Sequence, residues 1–292
     1  MTLFWGNSLF LRTPDSRFAF GLGIGAVCVS SILLLIFLFV TGEALPALKN
    51  VGLRRFLFDD AWYPTDESFG LVPMLVSSFV LSVCAILLAG PVGVAAAVYR
   101  LYYAPSWIRK PYRWLVLLLA GMPSVVLGLW GLVVLVPLIA RIEPPGTSLI
   151  AGILVVSLMV APTVTIMSES ALEGVARSSW SGAAALGLSR ESTLWNVVLP
   201  AARGGIAAGI LLAAARAIGE TMAVLMVTGN IVQMPDGPFS AVRVLTSNIA
   251  LEMAYATGDH RAALFISGLA LTILVLLLSL TAARIAGLKN NV

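Results

Sequence analysis

Residues 204–231 read GGIAAGILLAAARAIGETMAVLMVTGNI, an apolar run that contains two opposite charges, Arg216 and Glu220. At about 1.5 Å of rise per residue, a helix of this length crosses the roughly 30 Å hydrocarbon core of a bilayer. A charge at the bilayer centre costs at least about 2.5 kcal/mol, so both side chains need a compensating role. Their spacing predicts one shared helix face, on which carboxylate and guanidinium compensate each other. The pair is either a structural ion pair that fixes helix packing or a cation, held by the carboxylate, that meets an anionic solute, and we favour the second.

The rest of the chain has the same apolar character. Of its 292 residues, 59% are hydrophobic and 11% are charged, and the mean hydropathy is +0.98. A soluble domain carries about 25% charged residues, so this composition excludes a soluble globular protein. Runs long enough to span a bilayer cover residues 18–40, 71–98, 112–140, 148–168, 204–231 and 262–286. The sequence therefore predicts an all-α polytopic membrane bundle with six transmembrane helices.

Basic residues concentrate in alternate loops and at both ends of the chain. The arginine-rich loops follow the second and fourth runs, and the terminal segments contain Arg12 and Lys289. The loops 41–70 and 232–259 hold most of the acids, so the positive-inside rule places them outside and both termini in the cytoplasm. The net charge of +4 is then a topology signal, and we expect membrane lipids and not nucleic acid as partners. Trp62 of the first outer loop is predicted to lie at headgroup level.

Few residues could bind a metal. The chain has one histidine, His260, and two cysteines, Cys28 and Cys84, which fall within predicted spans. A metal site needs several nitrogen or sulfur ligands in one place. The sequence therefore predicts no metal and no cofactor, and His260 is interpreted as an interfacial residue at a helix start.

Proline interrupts the third and fourth runs beside polar side chains. The third run contains Gly121, Pro123 and Ser124, and the fourth contains Pro162 followed by Thr163. Proline removes a backbone donor and frees a carbonyl, which a membrane tolerates where helices or water satisfy it. Either break alone is explained by a packing kink, but the two together predict helices that line a polar pathway.

The segment between the fourth and fifth runs, residues 171–206, has mixed polarity and no span. Gly187 can end a helix in the left-handed conformation, and Ser189 can cap the helix that follows. Pro200 is expected to end that second helix. The sequence predicts two short helices joined by a sharp turn at the cytoplasmic surface.

The spacing within this segment is specific, because a short pattern precedes a Leu-Pro pair: Ser181, Gly182, Ala183, Gly187, Leu199 and Pro200. It resembles the EAA loop of importer permeases of the ABC superfamily. The resemblance implies that these residues form coupling helices that dock into a groove on a cytoplasmic ATPase. Ser181 stands where the family has a glutamate and Gly182 where it has its first alanine. Without that carboxylate, docking is expected to depend on shape and on Arg177 or Arg190.

The fifth run narrows the resemblance. RAIGETMAVLMVTGN, residues 216–230, resembles the RA-x-GET signature of phosphate-specific (Pst) permeases, and its continuation favours the PstC type over the PstA type. LAGMPSVVLGLWGL, residues 119–132, and FG-x-VP, residues 69–73, are also similar. The resemblance covers about residues 69–286. It implies a MetI-like permease core and a phosphate pathway that contains Arg216, Glu220, Thr221, Ser124 and Pro123.

The same resemblance implies a set of partners in a bacterial inner membrane. These are a second, PstA-type permease subunit, a PstB-type ATPase dimer in the cytoplasm, a PstS-type phosphate-binding protein outside, and inorganic phosphate itself. The implied organisation is a cytoplasmic tail, first helix and periplasmic loop in residues 1–70, a permease domain in 71–286, with the coupling loop at about 171–203, and a cytoplasmic tail in 287–292.

Three other functions remain as alternatives. One is a permease for sulfate, molybdate or tungstate, although such relatives tend to carry an aromatic residue where this chain has Thr221. The second is a secondary transporter or channel, and the third is a membrane-embedded enzyme. The sequence contains no G-x-x-x-x-G-K-[ST] loop and no evident nucleophile–base pair. We therefore expect the chain not to be an enzyme and ATP hydrolysis to come from a partner.

Overall fold

The computed structural model of the protein describes residues 14–59, 61–175 and 177–287. Sequence-based assignments at Arg12, Asp60 and Lys289, in the two terminal tails, and at the side chain of Arg177 lie outside the described part. Helices form nearly all of the regular structure, which confirms the predicted all-α class. The helices are α1 (Pro14–Asn50), α2 (Leu53–Phe58), α3 (Val72–Val98), α4 (Ser106–Gly121), α5 (Ser124–Trp130), α6 (Val136–Ala140), α7 (Leu149–Glu173), α8 (Arg177–Ala185), α9 (Arg190–Thr193), α10 (Leu199–Ile218), α11 (Met222–Val227), α12 (Leu245–Glu252) and α13 (Gly258–Gly287).

Five helical stretches of the described chain are long and apolar enough to cross a membrane: Phe18–Asn50, Val72–Tyr103, Leu149–Glu173, Arg190–Ile218 and Gly258–Thr281. A sixth span exists if α4 and the helical stretch Ser124–Ala140 count together, since they are joined at a short break and bent by 94°. The break falls at the predicted Gly-x-Pro-Ser sequence, because Pro123 cannot continue the helix that ends at Gly121. The predicted number of six spans is confirmed when this bent pair counts as one. The fifth helical stretch, Arg190–Ile218, begins and ends earlier than the predicted run 204–231.

Three π turns occur in the described chain: Tyr99–Tyr103, Gly131–Leu135 and Leu194–Val198. Each ends two residues before a proline: Pro105, Pro137 or Pro200. In a regular α-helix a proline ring clashes with the carbonyl four residues earlier, and the wider π turn relieves this clash. The helix can thus continue through Pro200. The prediction that Pro200 ends the second coupling helix is wrong, because the helical stretch runs from Arg190 to Ile218.

The centre of the bundle is α7, which packs against α3 on one side and α10 on the other. Glycines allow the close approach. A Cβ atom at Gly93 of α3 would lie 2.7 Å from Cβ of Val164, and one at Gly209 of α10 would lie 2.5 Å from Cβ of Met167. Small residues at such crossings let helix backbones approach within a membrane bundle.

Helix α1 lies at the edge of the molecule and packs mainly against α13. Phe39 meets Phe265 edge to face at 5.8 Å, and Arg261 forms an ion pair with Glu43 at 3.4 Å. Most of the remaining α1 surface is exposed. Helix α1 is thus held chiefly by one neighbour.

The loop between α1 and α3 folds into α2 and a small antiparallel hairpin of β1 (Trp62–Tyr63) and β2 (Ser68–Phe69). Trp62 is only 4% exposed and packs edge to face on Phe69 with ring centroids 5.5 Å apart. The prediction of a headgroup position is therefore wrong for Trp62. Its ring is part of a buried cluster with residues of α13.

Candidate functional site

Arg216 and Glu220 do not share a helix. α10 ends at Ile218 and Gly219 follows as its C-cap, so Glu220 lies in the short break before α11. There Glu220 accepts a hydrogen bond on Oε1 from the backbone N–H of Ala223 at 3.0 Å, at the beginning of α11. Among the described residues no ion pair joins Arg216 to Glu220. The predicted compensating pair is wrong, because the helix ends before the four-residue spacing can bring the side chains together.

Arg216 instead contacts the fourth span. The predicted break at Pro162 is wrong, because α7 continues through this proline from Leu149 to Glu173. Its Nη1 donates to Oγ1 of Thr163 at 3.1 Å, and Thr163 directly follows Pro162 inside α7. Arg216 is exposed and Thr163 is partly buried. A hydroxyl partner leaves the charge of the guanidinium uncompensated and uses one of its five N–H donors. The arrangement can therefore accept an anion at the surface of the molecule.

Pro123, Ser124, Glu220 and Thr221 lie around two helix breaks that the packing of α5 and α11 brings together. A Cβ atom at Gly128 of α5 would lie 2.7 Å from Cα of Ala223, and one at Gly131, just after α5, would lie 3.0 Å from a methyl group of Val227. The later residue of one helix contacts the later residue of the other, so the two helices are parallel. The starts of α5 and α11, with Ser124 and Thr221, therefore lie at the same end of the pair. Thr246 Oγ1 fixes this end by donating to the Glu220 carbonyl at 2.7 Å.

The coupling segment has the predicted turn. Gly187 adopts a φ of +73°, and the N–H of Leu188 reaches back to the carbonyl of Ala183 at 3.1 Å. Ser189 Oγ accepts from the N–H of Ser192 at 3.2 Å and caps α9. Both local predictions, the left-handed stop and the serine cap, are confirmed.

The residues of the EAA-like pattern differ in exposure. Ala183 is buried, Leu199 is half-buried, and Ser181, Gly182 and Pro200 are exposed. Leu186, at the tip of the turn, is 82% exposed. The segment packs onto the bundle through a buried cluster that includes Leu172, Leu194 and Val198.

Two charged clusters were missed by sequence reasoning. Near the coupling segment, Arg100 binds Glu169 and, at 3.1 Å, Glu173. The sequence contains an indication of this cluster: Glu169 and Glu173 are one helical turn apart at the end of the fourth apolar run, so their carboxylates share a helix face. In the sequence, Arg100 belongs to the arginine-rich loop after the second run and contributes only to the topology prediction.

The second cluster centres on Glu252 of α12. Its carboxylate accepts from Trp62 Nε1 at 2.8 Å and from Arg243 Nη1 at 2.6 Å, and lies 2.8 Å from Nε2 of His260. These partners come from three separate segments of the chain. His260 is thus a member of a partly buried network and not only an interfacial residue.

Within the described ranges, no group of three or more His, Cys, Asp or Glu side chains is arranged to hold a metal ion. The polar groups that line the helix breaks are a guanidinium, hydroxyls and one carboxylate.

Comparison with known proteins shows a family match and several similar transport proteins. Residues 89–288 match the family described as binding-protein-dependent transport system inner membrane component. A probable ABC transporter permease protein, YqgH of Bacillus subtilis, is 38% identical over 232 residues, which are 78% of this chain and 75% of that protein. The phosphate transport system permease protein PstC of Pasteurella multocida is 32% identical over 237 residues, 74% of each protein. In fold, the chain resembles a solved inward-facing MetNI methionine ABC transporter, with a TM-score of 0.57, 22% identity, and coverage of 74% of this chain and 93% of that chain.

Proposed function

The chain belongs to the family of binding-protein-dependent transport system inner membrane components, and from this premise we propose that it is the PstC-type permease subunit of an ATP-driven importer of inorganic phosphate. The proposal is supported by several relatives named phosphate transport system permease protein PstC, about 30% identical over most of the chain. Family membership also argues against a secondary transporter and against an enzyme.

The observation that carries the proposal is the position of Arg216. Its guanidinium is exposed on α10 and binds a neutral hydroxyl of α7. Because no carboxylate of the described residues forms an ion pair with it, this charge can attract an anion, and an arginine presents a planar fork of donors that matches phosphate oxygens. Thr163, Thr221 and Ser124 add hydroxyls near the same helix breaks. A site of this kind binds weakly enough for the solute to leave.

Glu220 takes a different part from the one expected from the sequence. Its carboxylate holds the beginning of α11 through the N–H of Ala223 and does not orient Arg216. We assign it to fixing the break at residues 219–221, so that the fifth span stays interrupted beside the pathway. Discontinuous helices at such sites are typical of membrane transporters.

The remaining parts of the proposal concern the partners. An exposed arginine in a membrane is stable only against a polar surface, so we assign the face that carries Arg216 to the second, PstA-type permease subunit. The coupling turn with Ser181, Gly182 and Leu186 faces the PstB-type ATPase dimer in the cytoplasm. The loops at 41–70 and 232–259 face outside, toward a PstS-type phosphate-binding protein. Both termini are then cytoplasmic, as in the division 1–70, 71–286 and 287–292, and the complex lies in a bacterial inner membrane.

Uptake of labelled phosphate into vesicles that contain this chain and its three partners tests the site. We expect Arg216→Ala to lower ATP-dependent uptake by more than about tenfold, because a charge-assisted hydrogen bond contributes about 1.5–3 kcal/mol. The complex should assemble normally. Arg113→Ala, which removes an exposed arginine of α4 outside the coupling loop, is the matched control and should keep its uptake.

Two results would contradict the proposal. Normal uptake by Arg216→Ala would show that Arg216 is not part of the phosphate pathway. Inhibition of uptake by sulfate or molybdate at concentrations equal to that of phosphate would favour one of these oxyanions as the substrate.

A further inference from the structure

A buried ion cluster joins the end of α3 to the end of α7, and the proposed phosphate site does not include it. Arg100 follows α3 in the π turn Tyr99–Tyr103 and donates from Nε to Oε1 of Glu169. Its Nη2 donates to Oε1 of Glu173 at 3.1 Å. The side chains of Arg100 and Glu169 are 9% and 6% exposed. The two helix ends are therefore held together by charges that are almost fully removed from solvent.

The same π turn contacts the coupling segment. Tyr102, two residues after Arg100, packs against Trp180 of α8 with ring centroids 5.2 Å apart. Aromatic pairs at this distance attract each other in a preferred geometry, beyond the area that they bury. The turn thus touches α8 through Tyr102 and α7 through Arg100.

Helix α7 extends this connection to the proposed pathway. Glu169 and Thr163 lie in one helix, less than two turns apart, and Thr163 accepts the hydrogen bond of Arg216. An α-helix keeps its hydrogen bonds over such a distance, so its end and Thr163 move together. Contacts therefore lead from α8 to Arg216 without a flexible loop between them.

Separating α3 from α7 is unfavourable because it would leave buried charges without partners. The other α3–α7 contacts described above, such as Gly93 against Val164, carry no charge. Arg100 is therefore the contact best suited to oppose sliding of α3 along α7 at the cytoplasmic end.

We propose that Arg100 is a positioning residue for transport, which locks the ends of α3 and α7 so that the coupling helix and the Thr163–Arg216 contact move as one body. The inference rests on the proposed function, since it concerns how that transport is driven. Without this ion cluster, a movement of α8 driven by the ATPase shifts α3 relative to α7 and does not reach Thr163 and Arg216. ATP is then hydrolysed without movement of the solute.

The test is the number of phosphate ions moved per ATP hydrolysed by the assembled complex in vesicles. We expect Arg100→Gln and Glu169→Gln to keep ATP hydrolysis within about twofold of the wild type and to lower this ratio by at least about tenfold. The first leaves the Glu169 carboxylate buried without its cation, and the second leaves Arg100 with only its contact to the exposed Glu173. Glu173→Gln removes the half-exposed partner and should change the ratio by less than about threefold, because exposed pairs contribute little. Arg113→Gln, an exposed arginine of α4, is the control for loss of positive charge at this end.

The exchanged pair Arg100→Glu/Glu169→Arg separates positioning from charge alone. It keeps both charges and their contact, so at least half of the wild-type ratio should return. Parallel loss of hydrolysis and uptake in the single variants, with an unchanged ratio, would overturn the proposal. So would failure of both single variants to assemble, because the cluster would then serve folding only, and so would an exchanged pair that restores nothing.

A second measurement does not depend on phosphate. Spin labels at Ala185 of α8 and Leu87 of α3, both exposed, report the distance between the coupling helix and α3. This distance should stay constant on nucleotide binding in the wild type and should change in Arg100→Gln. If the wild-type complex moves no phosphate, the proposed function fails, but the labels still decide whether Arg100 locks the two helices. A distance that changes equally in both proteins would reject the lock.

Discussion

Glu252 links three segments of the chain at the end of the molecule that is predicted to face outside. Trp62 comes from the hairpin after α1, Arg243 from the loop before α12, and His260 from the beginning of α13. The carboxylate side chain is 9% exposed and the Arg243 side chain 18%. Its contacts extend over as many as 190 residues of sequence. This single side chain therefore connects parts of the fold that have no local reason to meet.

Replacing this carboxylate should destabilise the protein. In Glu252→Ala, the partly buried Arg243 loses its ion-pair partner but keeps the Asn230 carbonyl and Asn248 Oδ1 as acceptors, and the Trp62 N–H loses its acceptor. We therefore expect a loss of about 2–3 kcal/mol. Thermal unfolding of the purified protein in detergent measures the change. Glu143→Ala removes an exposed glutamate and should stay within about 0.5 kcal/mol of the wild type. Equal unfolding temperatures for the two variants would show that the network is not needed for stability.

The same residues show why sequence reasoning failed here. An isolated tryptophan in an outer loop is most simply explained by a headgroup position, as was expected of Trp62. Its burial depends on an acceptor supplied by Glu252, which no local pattern reveals. The predicted ion pair between Arg216 and Glu220 is wrong for the opposite reason. The local spacing predicts a contact, but the helix ends at Ile218 with Gly219 as its C-cap.

Among the elements, local signals decided most of the structure correctly. Hydrophobic length predicted the spans, Pro123 predicted the break after α4, and Gly187 with Ser189 predicted the coupling turn. Pro200 misled because a proline normally ends a helix, whereas here a π turn precedes it. The sequence reveals the proline but not the extra residue in the turn before it, where Leu194 and Val198 are buried.

Two glycines of the coupling segment should respond in opposite directions to the same substitution. Gly182 lies inside α8 with open space around it, so Gly182→Ala should stabilise that helix by up to about 1 kcal/mol. Gly187 has a positive φ, so Gly187→Ala should cost about 1–2 kcal/mol although nothing obstructs the added methyl group.

Amide hydrogen exchange over residues 177–185 measures this difference locally. Exchange should become slower in Gly182→Ala and faster in Gly187→Ala. Changes of the same sign in both variants would contradict the turn geometry described here.

At the scale of the whole molecule, the alternation of basic and acidic loops predicts the orientation in the membrane. Tyr63 is exposed in the loop after α1, and Leu186 is exposed in the coupling turn. Impermeant thiol reagents should label Tyr63→Cys in intact cells, but Leu186→Cys only after permeabilisation, in a background that carries Cys28→Ser and Cys84→Ser. Leu35→Cys, on the exposed face of α1, should face lipid and react in neither case. The reverse pattern at residues 63 and 186 would invert the proposed topology.

The position of α1 has a consequence for how the protein is made. Its main neighbour is α13, through Phe39 on Phe265 and Glu43 on Arg261, and these two helices are the first and last of the described chain. During translation, α1 leaves the ribosome long before its neighbour exists. It must therefore remain in the bilayer, held there by its own hydrophobicity, until the last helix has been made and can pack against it.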